Sequence, residues 1–208
     1  MGELLEIADR MRALATTGLH YAETEFDRQR YEQLMGLAAR LGAIGEDSDP
    51  EQVERIYRRV DEGYVTPKID VRMAIFRGDT ILLVRELADG RWAMPGGYVD
   101  VGDSPSEAAI RETAEEASLE VLVRGLVGVF DGRLQPDSPA HLFHIHKLVF
   151  TGEPRDPEAR PAPGHETTDA RFCPLDALPE LSLGRTLPLH IREAKRVAED
   201  PTGLPYFD

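Results

Sequence analysis

The sequence has little cysteine, little tryptophan and no long apolar run, and each shortage narrows the class of protein. Its 208 residues contain one cysteine, Cys173, and one tryptophan, Trp92. A single thiol excludes an internal disulfide and suits a reducing compartment. No apolar run approaches the ~18 residues of a membrane span. The first ten residues carry acidic charges where a secretory signal needs basic ones. We therefore expect a soluble, cytoplasmic protein.

Basic side chains are also scarce. The chain has 24 Lys and Arg against 38 Asp and Glu, which gives a formal net charge of −14. Such a charge repels polyanions at long range and disfavours a general nucleic-acid binder. The negative charge does not exclude small anionic substrates, because metal ions bound to clustered carboxylates reverse the local electric field. The length, ~1.4 times that of a typical domain, favours one catalytic domain plus an appendage.

Hydrophobic periodicity divides the chain into a helical part and a mixed part. Helical spacing predicts three helices in residues 1–64, with Gly18 ending the first and with Asp49 and Pro50 starting the third. From residue 65 to 208 the apolar residues mostly alternate, which predicts strands, with one helix inserted after Ser104 and another near residues 188–198. The Pro-rich residues 153–169 predict a loop. We expect an α+β domain that follows a small all-helical N-terminal domain.

The inserted helix carries the clearest chemical pattern. Ser104 and Glu107 form a predicted capping box. Glu112, Glu115 and Glu116 are spaced i, i+3, i+4, so their carboxylates share one helix face and repel one another. Hard cations such as Mg²⁺ and Mn²⁺ relieve this repulsion. A solvated acidic face is the commoner outcome for three glutamates, but the preceding loop, PGGYVDVG, brings glycines that let backbone approach a ligand closely.

These residues resemble a known motif. From Gly97 onward, GYVDVGDSPSEAAIRETAEEASL resembles the Nudix box, a signature built around Arg-Glu-x-x-Glu-Glu. The matching residues are Gly97, Arg111, Glu112, Glu115, Glu116 and Leu119. Three positions depart from the pattern: Asp103 replaces a glutamate, Thr113 occupies an apolar position, and Ser118 replaces a glycine. A left-handed conformation at Ser118 would cost roughly 1 kcal/mol.

The resemblance extends over nearly the whole chain. The N-terminal helices, with Thr17-Gly18-Leu19 and Arg30-Tyr31-Glu32, are similar to the extension of CDP-choline pyrophosphatase-type Nudix hydrolases. This similarity implies a Nudix α/β/α sandwich with a mixed sheet behind the helical domain. It also implies metal-dependent hydrolysis of a nucleoside diphosphate linked to a moiety X, with CDP-choline and ADP-ribose as the leading substrates. A homodimer formed through the N-terminal helices is the expected assembly, and apolar stripes on all three helices agree with it.

The resemblance also assigns roles to residues. The implied ligands of Mg²⁺ or Mn²⁺ are Glu112, Glu115, Glu116 and a backbone group of Gly96, with structural support from Gly97, Asp103 and Arg111. The general base is Glu112 or Glu166, although the position of Glu166 in a loop favours a plain surface acid over a catalytic one. Arg85 and Arg72 are the expected substrate-binding cations, and an ordinary exposed strand position is the alternative for Arg85.

Other interpretations stay open beside the enzyme. A non-hydrolytic Nudix-like sensor is the alternative of a different class, and an RNA 5′-pyrophosphohydrolase is a third, opposed by the charge of −14. Trp92 and Tyr98 are expected to pack in the core rather than stack on a base. His144 and His146 are expected to be sheet histidines rather than zinc ligands, and Cys173 a buried thiol.

Overall fold

The computed structural model describes residues 2–135, 138–139 and 141–208. The chain forms two compact units, one joining Met1–Lys68 with Pro139–His144 and the other joining Ile69–Ser138 with Ile145–Asp208. The helical unit thus includes Pro139–His144, from far along the chain, and the predicted domain boundary between residues 64 and 65 stays a prediction. In the described residues, no helix has both the length and the apolar character needed to cross a membrane.

The first unit contains the three predicted helices, α1 (Gly2–Tyr21), α2 (Glu25–Glu46) and α3 (Pro50–Val60). Asp49 caps α3 as predicted, since its carboxylate accepts from two backbone N–H groups of the first turn. The prediction that Gly18 ends α1 is wrong, because the helix continues to Tyr21. A Cβ at Gly18 would lie 2.2 Å from Cε1 of Tyr31, so the glycine allows close helix packing instead of ending a helix.

A buried arginine organises the core of the helical unit. Arg12 is 2% exposed. It lies 2.8 Å from carboxylate oxygens of both Asp9 and Asp61, and its guanidinium stacks over the ring of Phe143 at 5.0 Å. Asp9 also accepts the backbone N–H of His144 at 2.9 Å. A buried cation needs such partners, and these contacts hold residues 141–144 against the helices.

The second unit is built on a mixed sheet. The order is β3-β2-β1-β5-β4-β7, and β6 pairs with β2. The pairs β1–β2, β2–β6 and β4–β5 are antiparallel, and β4–β7 is parallel. The strands are β1 (Lys68–Arg77), β2 (Thr80–Glu86), β3 (Trp92–Ala93), β4 (Val121–Asp131), β5 (Ile145–Pro154), β6 (Thr167–Pro174) and β7 (Tyr206–Phe207). The predicted α+β fold is confirmed. His144 precedes β5, so its placement within a strand was wrong.

One helix covers each face of the sheet. On one face, α4 (Pro105–Ala117) packs its alanines against Val71, Met73 and Leu82. On the other face, α5 (Pro188–Glu199) packs against a core that contains Trp92 and Cys173. Both residues are buried, as the sequence predicted. This layering gives the expected α/β/α sandwich.

The start and end of α4 follow the predicted pattern. Ser104 and Glu107 form the capping box, with Pro105 in the first turn. Thr113 is fully buried, and its hydroxyl donates to the carbonyl of Ala109, so it fits the apolar position. Ser118 adopts the left-handed conformation at φ 53° and ends the helix, in the place where a glycine is favoured.

Candidate active site

The glycine-rich loop lies between β1 and α4. The N–H groups of Met73 and Val71 donate to the carbonyls of Pro95 and Gly97 at 2.9 and 2.8 Å. Between them, the N–H of Gly96 donates to Oε2 of Glu116 at 2.9 Å. Gly96 has φ +145°, and a Cβ there would lie 2.0 Å from the carbonyl oxygen of Val71. Only glycine satisfies this conformation and this close approach, so the loop fixes the position of the Glu116 carboxylate.

The three glutamates of α4 differ in exposure. Glu116 is 5% exposed, whereas the side chains of Glu112 and Glu115 are 14% and 59% exposed. Burial raises the pKa of Glu116 to about 7, although the Gly96 N–H and the charge of Arg72 oppose the rise. Burial also raises the pKa of Glu112. The exposure of the carboxylates therefore increases from Glu116 in the protein interior through Glu112 to Glu115 in the solvent.

Arg111 ties the acidic residues of the loop and the helix together. Its Nη1 lies 2.8 Å from Glu112 and 3.1 Å from Glu115, and its Nε lies 3.2 Å from Asp103. Asp100 is 3.3 Å from Nη2. Asp103, one methylene shorter than the glutamate of the motif, still reaches the guanidinium. Such contacts restrict the rotamers of the carboxylates.

The donor set fits a hard divalent cation. Three carboxylates on one helix face supply the oxygen ligands that Mg²⁺ and Mn²⁺ prefer. Glu112 lies against the loop, with its Cδ 3.0 Å from where a Cβ of Gly97 would stand. The loop bonds to β1 through the carbonyls of Pro95 and Gly97, and these bonds do not use the carbonyl of Gly96. The residues that could hold a cation are thus Glu112, Glu115, Glu116 and the Gly96 carbonyl.

A buried charge network lies beneath the loop. Arg72, 3% exposed, donates to Asp70 at 2.8 Å and to the carbonyl of Met94 at 3.2 Å. Nζ of Lys147 also donates to Asp70 at 2.8 Å. Burial alone would raise the pKa of Asp70, but the two cations outweigh it and the pKa is lowered. Burial lowers the pKa of Lys147 to about 8. Arg72 acts on Glu116 through its charge, and its contact with substrate stays a prediction.

Neighbouring residues at the end of β2 differ sharply in placement. Arg85 is exposed and donates from Nε to the carbonyl of Gly90 at 2.8 Å, in the β2–β3 turn. Glu86 is 5% exposed, and its Oε1 lies 3.2 Å from Nε of Arg185. Burial raises the pKa of Glu86, and the charge of Glu86 in turn raises the pKa of Glu116. The charge of Glu86 thus reaches Glu116, and Arg185 pairs with Glu86; neither residue was predicted.

A signal for Glu86 was present in the sequence. Leu82 and Val84 pack on the α4 side of the sheet, whereas Ile81 and Leu83 pack on the α5 side. Extending this alternation by one step places Glu86 on the α4 side. Arg185 offered no such signal, because it lies in a loop.

The Pro-rich loop is fastened to the end of α4. The hydroxyl of Thr167 donates to the carbonyl of Glu116 at 2.8 Å and accepts the N–H of Gly164 at 2.8 Å. The N–H of Ala162 donates to the carbonyl of Ala117 at 3.0 Å. Glu166 is exposed, its carbonyl accepts the N–H of Leu87, and its charge raises the pKa of Glu86. The loop thus brings Glu166 to the side of the site where Glu86 lies.

The aromatic and histidine predictions have mixed outcomes. Trp92 packs in the core. The prediction that Tyr98 does so is wrong, because Tyr98 is 55% exposed and pairs with Asp70 at the edge of the loop. Partial burial of the hydroxyl and the nearby charge of Asp70 raise the pKa of Tyr98. His146 lies on β5 opposite Asp131. Ligand atoms of Asp131, His144 and His146 lie within 4.8 Å of one another, so the expectation that these histidines bind no zinc stays a prediction.

The chain is similar to known proteins along nearly its whole length. The model of the NUDIX domain matches residues 66–194, and the model of the UDP-X-like, N-terminal oligomerisation domain matches residues 2–57. The Bacillus subtilis protein named "Putative ADP-ribose pyrophosphatase YjhB" is 38% identical over 98% of this chain and 96% of its own.

Two solved structures are also similar. A UDP-X diphosphatase is 33% identical with a TM-score of 0.58, covering 95% of this chain and 94% of its own. An ADP-ribose pyrophosphatase of Streptococcus suis is 32% identical with a TM-score of 0.61, covering 69% of this chain and 100% of its own.

Proposed function

The chain belongs to the Nudix family, and on that premise we propose that it hydrolyses the diphosphate bond of a nucleoside diphosphate linked to a moiety X. Water attacks one phosphorus, and the products are a nucleoside monophosphate and X-phosphate. The observation that carries this proposal is the hydrogen bond between Gly96 and the buried carboxylate of Glu116, which joins the glycine loop to the carboxylate helix. The similarity of nearly the whole chain to the protein of Bacillus subtilis supports it.

We assign metal binding, positioning and the general base to different side chains of the site. Glu112, Glu115, Glu116 and the Gly96 carbonyl would hold Mg²⁺ or Mn²⁺. Such a cation neutralises a diphosphate, orients it and lowers the pKa of water. Arg111 keeps Glu112 and Glu115 in position by the ion pairs described above. Glu112 and Glu166 are the two candidates for the general base.

ADP-ribose is the first substrate to test. Two similar proteins carry ADP-ribose pyrophosphatase in their names, and a third is a UDP-X diphosphatase. CDP-choline stays a candidate because the N-terminal helices resemble those of CDP-choline pyrophosphatases. The half-exposed ring of Tyr98, beside the glycine loop, offers a surface for a nucleobase of either substrate.

Product identification by mass spectrometry tests the function. The protein would be incubated with Mg²⁺ or Mn²⁺ and with ADP-ribose, CDP-choline, UDP-sugars and nucleoside triphosphates, and a parallel reaction would contain EDTA. We expect metal-dependent release of a nucleoside monophosphate and X-phosphate from at least one diphosphate derivative. No turnover with either metal would contradict the proposal and would favour a non-hydrolytic sensor. Release of pyrophosphate from triphosphates alone would contradict the substrate class.

We also propose that the chain is a cytoplasmic homodimer formed through its N-terminal helices. Residues seven or eleven apart on a helix differ by only about 20° in direction, so each of the two long helices carries one exposed apolar stripe. The stripes are Ile7, Leu14 and Tyr21 on α1 and Phe26, Leu37 and Ile44 on α2. A second copy is the partner that suits them, because residues 2–57 match an oligomerisation domain. The single buried thiol suits a reducing cytoplasm.

A further inference from the structure

The loop before α5 is built to present Arg185. Ser182 joins this loop to β3, since its N–H donates to the carbonyl of Trp92 at 2.8 Å. The hydroxyl of Thr186 accepts the N–H of Met94 at 2.9 Å, which joins the loop to the residue before Pro95. The N–H groups of Arg185 and Thr186 both donate to the carbonyl of Ser182 at 2.8 Å. These bonds fix the backbone of Arg185 beside the candidate active site.

The guanidinium of Arg185 contacts its protein partners through Nε and Nη1. Its Nε lies 3.2 Å from Oε1 of Glu86, and its Nη1 donates to the hydroxyl of Ser182 at 3.1 Å. Asp89 lies 3.6 Å from Nη1 and accepts the Ser182 hydroxyl at 2.7 Å. Nη2 makes no hydrogen bond within the described part of the chain. The anchored group therefore keeps donors for a ligand.

Arg185 differs from the other cations near the carboxylates. Arg72 and Lys147 are buried and share Asp70. Arg111 is occupied by carboxylates on α4 and the glycine loop. The side chain of Arg185 is 34% exposed, so solvent and ligands can reach it. The carbonyl of the preceding residue, Gly184, accepts from Nζ of Lys147 at 3.5 Å, so Arg185 lies between the buried network and the solvent.

We propose that Arg185 binds the diphosphate of the substrate, and that Glu86 is the positioning residue that aims it. This inference rests on the proposed function. A planar guanidinium donates two parallel hydrogen bonds to a phosphate, and prior anchoring reduces the entropy lost on binding. A substrate with a diphosphate needs positive charge beyond that of a metal ion, and Arg185 supplies it beside the carboxylate cluster.

Substitution of Arg185 tests the inference by binding and by kinetics. Calorimetry with inorganic pyrophosphate and Mg²⁺ measures diphosphate binding without any choice of X. Loss of one charge-assisted phosphate contact weakens binding by about tenfold or more. We expect this loss in Arg185→Met and a smaller loss in Arg185→Lys, which keeps the charge but not the planar fork. Arg192→Met, an exposed arginine of α5, is the matched control and should bind like the wild type.

Steady-state kinetics on the hydrolysed substrate gives the second readout. We expect Arg185→Met to raise KM at least as much as it lowers kcat. Glu86→Gln should raise KM less than Arg185→Met does. The double variant should be no worse than Arg185→Met, because Glu86 acts through Arg185. Thermal unfolding would verify that every variant folds, with Arg185→Lys replacing Arg185→Met if the latter does not.

Failure of this inference is distinct from failure of the proposed function. Unchanged pyrophosphate affinity and KM in Arg185→Met and Arg185→Lys, with an active wild type, would overturn the role of Arg185. Lack of pyrophosphate binding by the wild type would overturn it as well. Lack of turnover of every compound in the panel would instead overturn the function, and the calorimetric comparison would still report on Arg185.

Discussion

At the scale of single residues, Glu116 joins two loops by two different groups. Its carboxylate accepts the N–H of Gly96, and its backbone carbonyl accepts the hydroxyl of Thr167. The side chain can therefore be changed without removing the anchor of the Pro-rich loop. Glutamine preserves an oxygen that accepts from Gly96 and removes only the negative charge.

Glu116→Gln should abolish turnover while the fold stays intact. Mutation of a residue that hydrogen-bonds to a metal ligand typically lowers metal affinity or activity by about 10–100-fold. Loss of a ligand should cost more, so we expect kcat/KM to fall by roughly 100-fold or more. Steady-state kinetics with Mg²⁺ measures the loss, and circular dichroism monitors the fold. Glu120→Gln, an exposed glutamate just beyond α4, is the control and should keep full activity. Near-wild-type turnover in Glu116→Gln would refute the metal assignment.

His190 makes the stability of the protein dependent on pH. It is 2% exposed, its Nδ1 accepts the N–H of Leu187 at 3.1 Å, and burial lowers its pKa to about 3. The folded protein keeps His190 neutral, whereas the unfolded chain binds a proton near pH 6.5. The contribution of His190 to the free energy of unfolding is therefore fully present above pH 6.5 and declines as the pH falls below it.

His190→Asn should remove this dependence, because the amide oxygen can replace Nδ1 as the acceptor and does not titrate. Between about pH 7.5 and pH 5.5, we expect the wild type to lose about 1.4 kcal/mol relative to the variant. Urea unfolding at both pH values measures the difference. Equal pH dependence in the two proteins would show that His190 is not kept neutral by the fold.

At the scale of elements, α4 is fixed at both ends by residues of different origin. Its start depends on the local capping box of Ser104 and Glu107. Its end depends on Ser118 and on the Pro-rich loop, which reaches the carbonyls of Glu116 and Ala117 from far along the chain. The unpaired carbonyls of a helix end need such partners.

Thr167→Val should destabilise the second unit by about 0.5–1.5 kcal/mol, because the carbonyl of Glu116 and the N–H of Gly164 lose their bonds to the hydroxyl and keep only the longer bond between them, at 3.3 Å. Thr168→Val is the matched control, since Thr168 is exposed and its hydrogen bond to Arg85 is long, at 3.3 Å. Denaturant unfolding compares the two variants. A cost at Thr168 as large as that at Thr167 would contradict the anchoring role.

Local features of the fold were predictable, whereas contacts distant in sequence were not. The caps at Asp49 and Ser104 follow from adjacent residues, and the carboxylate face of α4 follows from helical spacing. The prediction that Gly18 ends a helix was wrong because the glycine instead makes room for the ring of Tyr31, a contact that the local sequence does not show. The place of Arg185 depends on the loop between β6 and α5, which hydrogen-bonds to β3, so no periodicity could reveal it.

At the scale of the whole molecule, the proposed homodimer can be tested by substitutions in the exposed apolar stripes. Glutamate at Leu14 and Ile44 places charge on both exposed stripes of the helical unit, where the side chains are 64% and 66% exposed. We expect the Leu14→Glu/Ile44→Glu variant to be monomeric and the wild type dimeric by size-exclusion chromatography with light scattering. Charges buried at an interface without partners oppose association.

The matched control for this variant lies in the other unit. Leu87→Glu and Leu204→Glu alter leucines that are 65% and 81% exposed but belong to the sheet unit. A variant with both substitutions should remain dimeric. A monomeric wild type at micromolar concentration, or a dimer that survives Leu14→Glu/Ile44→Glu, would contradict assembly through the helical stripes.

The fastening of the Pro-rich loop to α4 has a consequence for proteolysis. Proteases cleave segments that can detach and enter an active-site cleft in extended form. In this loop, Ala162 and Gly164 are bonded to the end of α4, and the guanidinium of Arg77 donates to the carbonyl of Ala159 at 2.6 Å. Cleavage by trypsin after Arg155 therefore requires local unfolding that releases these bonds. The rate of nicking in this loop reports how often the end of α4, and Glu116 with it, is transiently open.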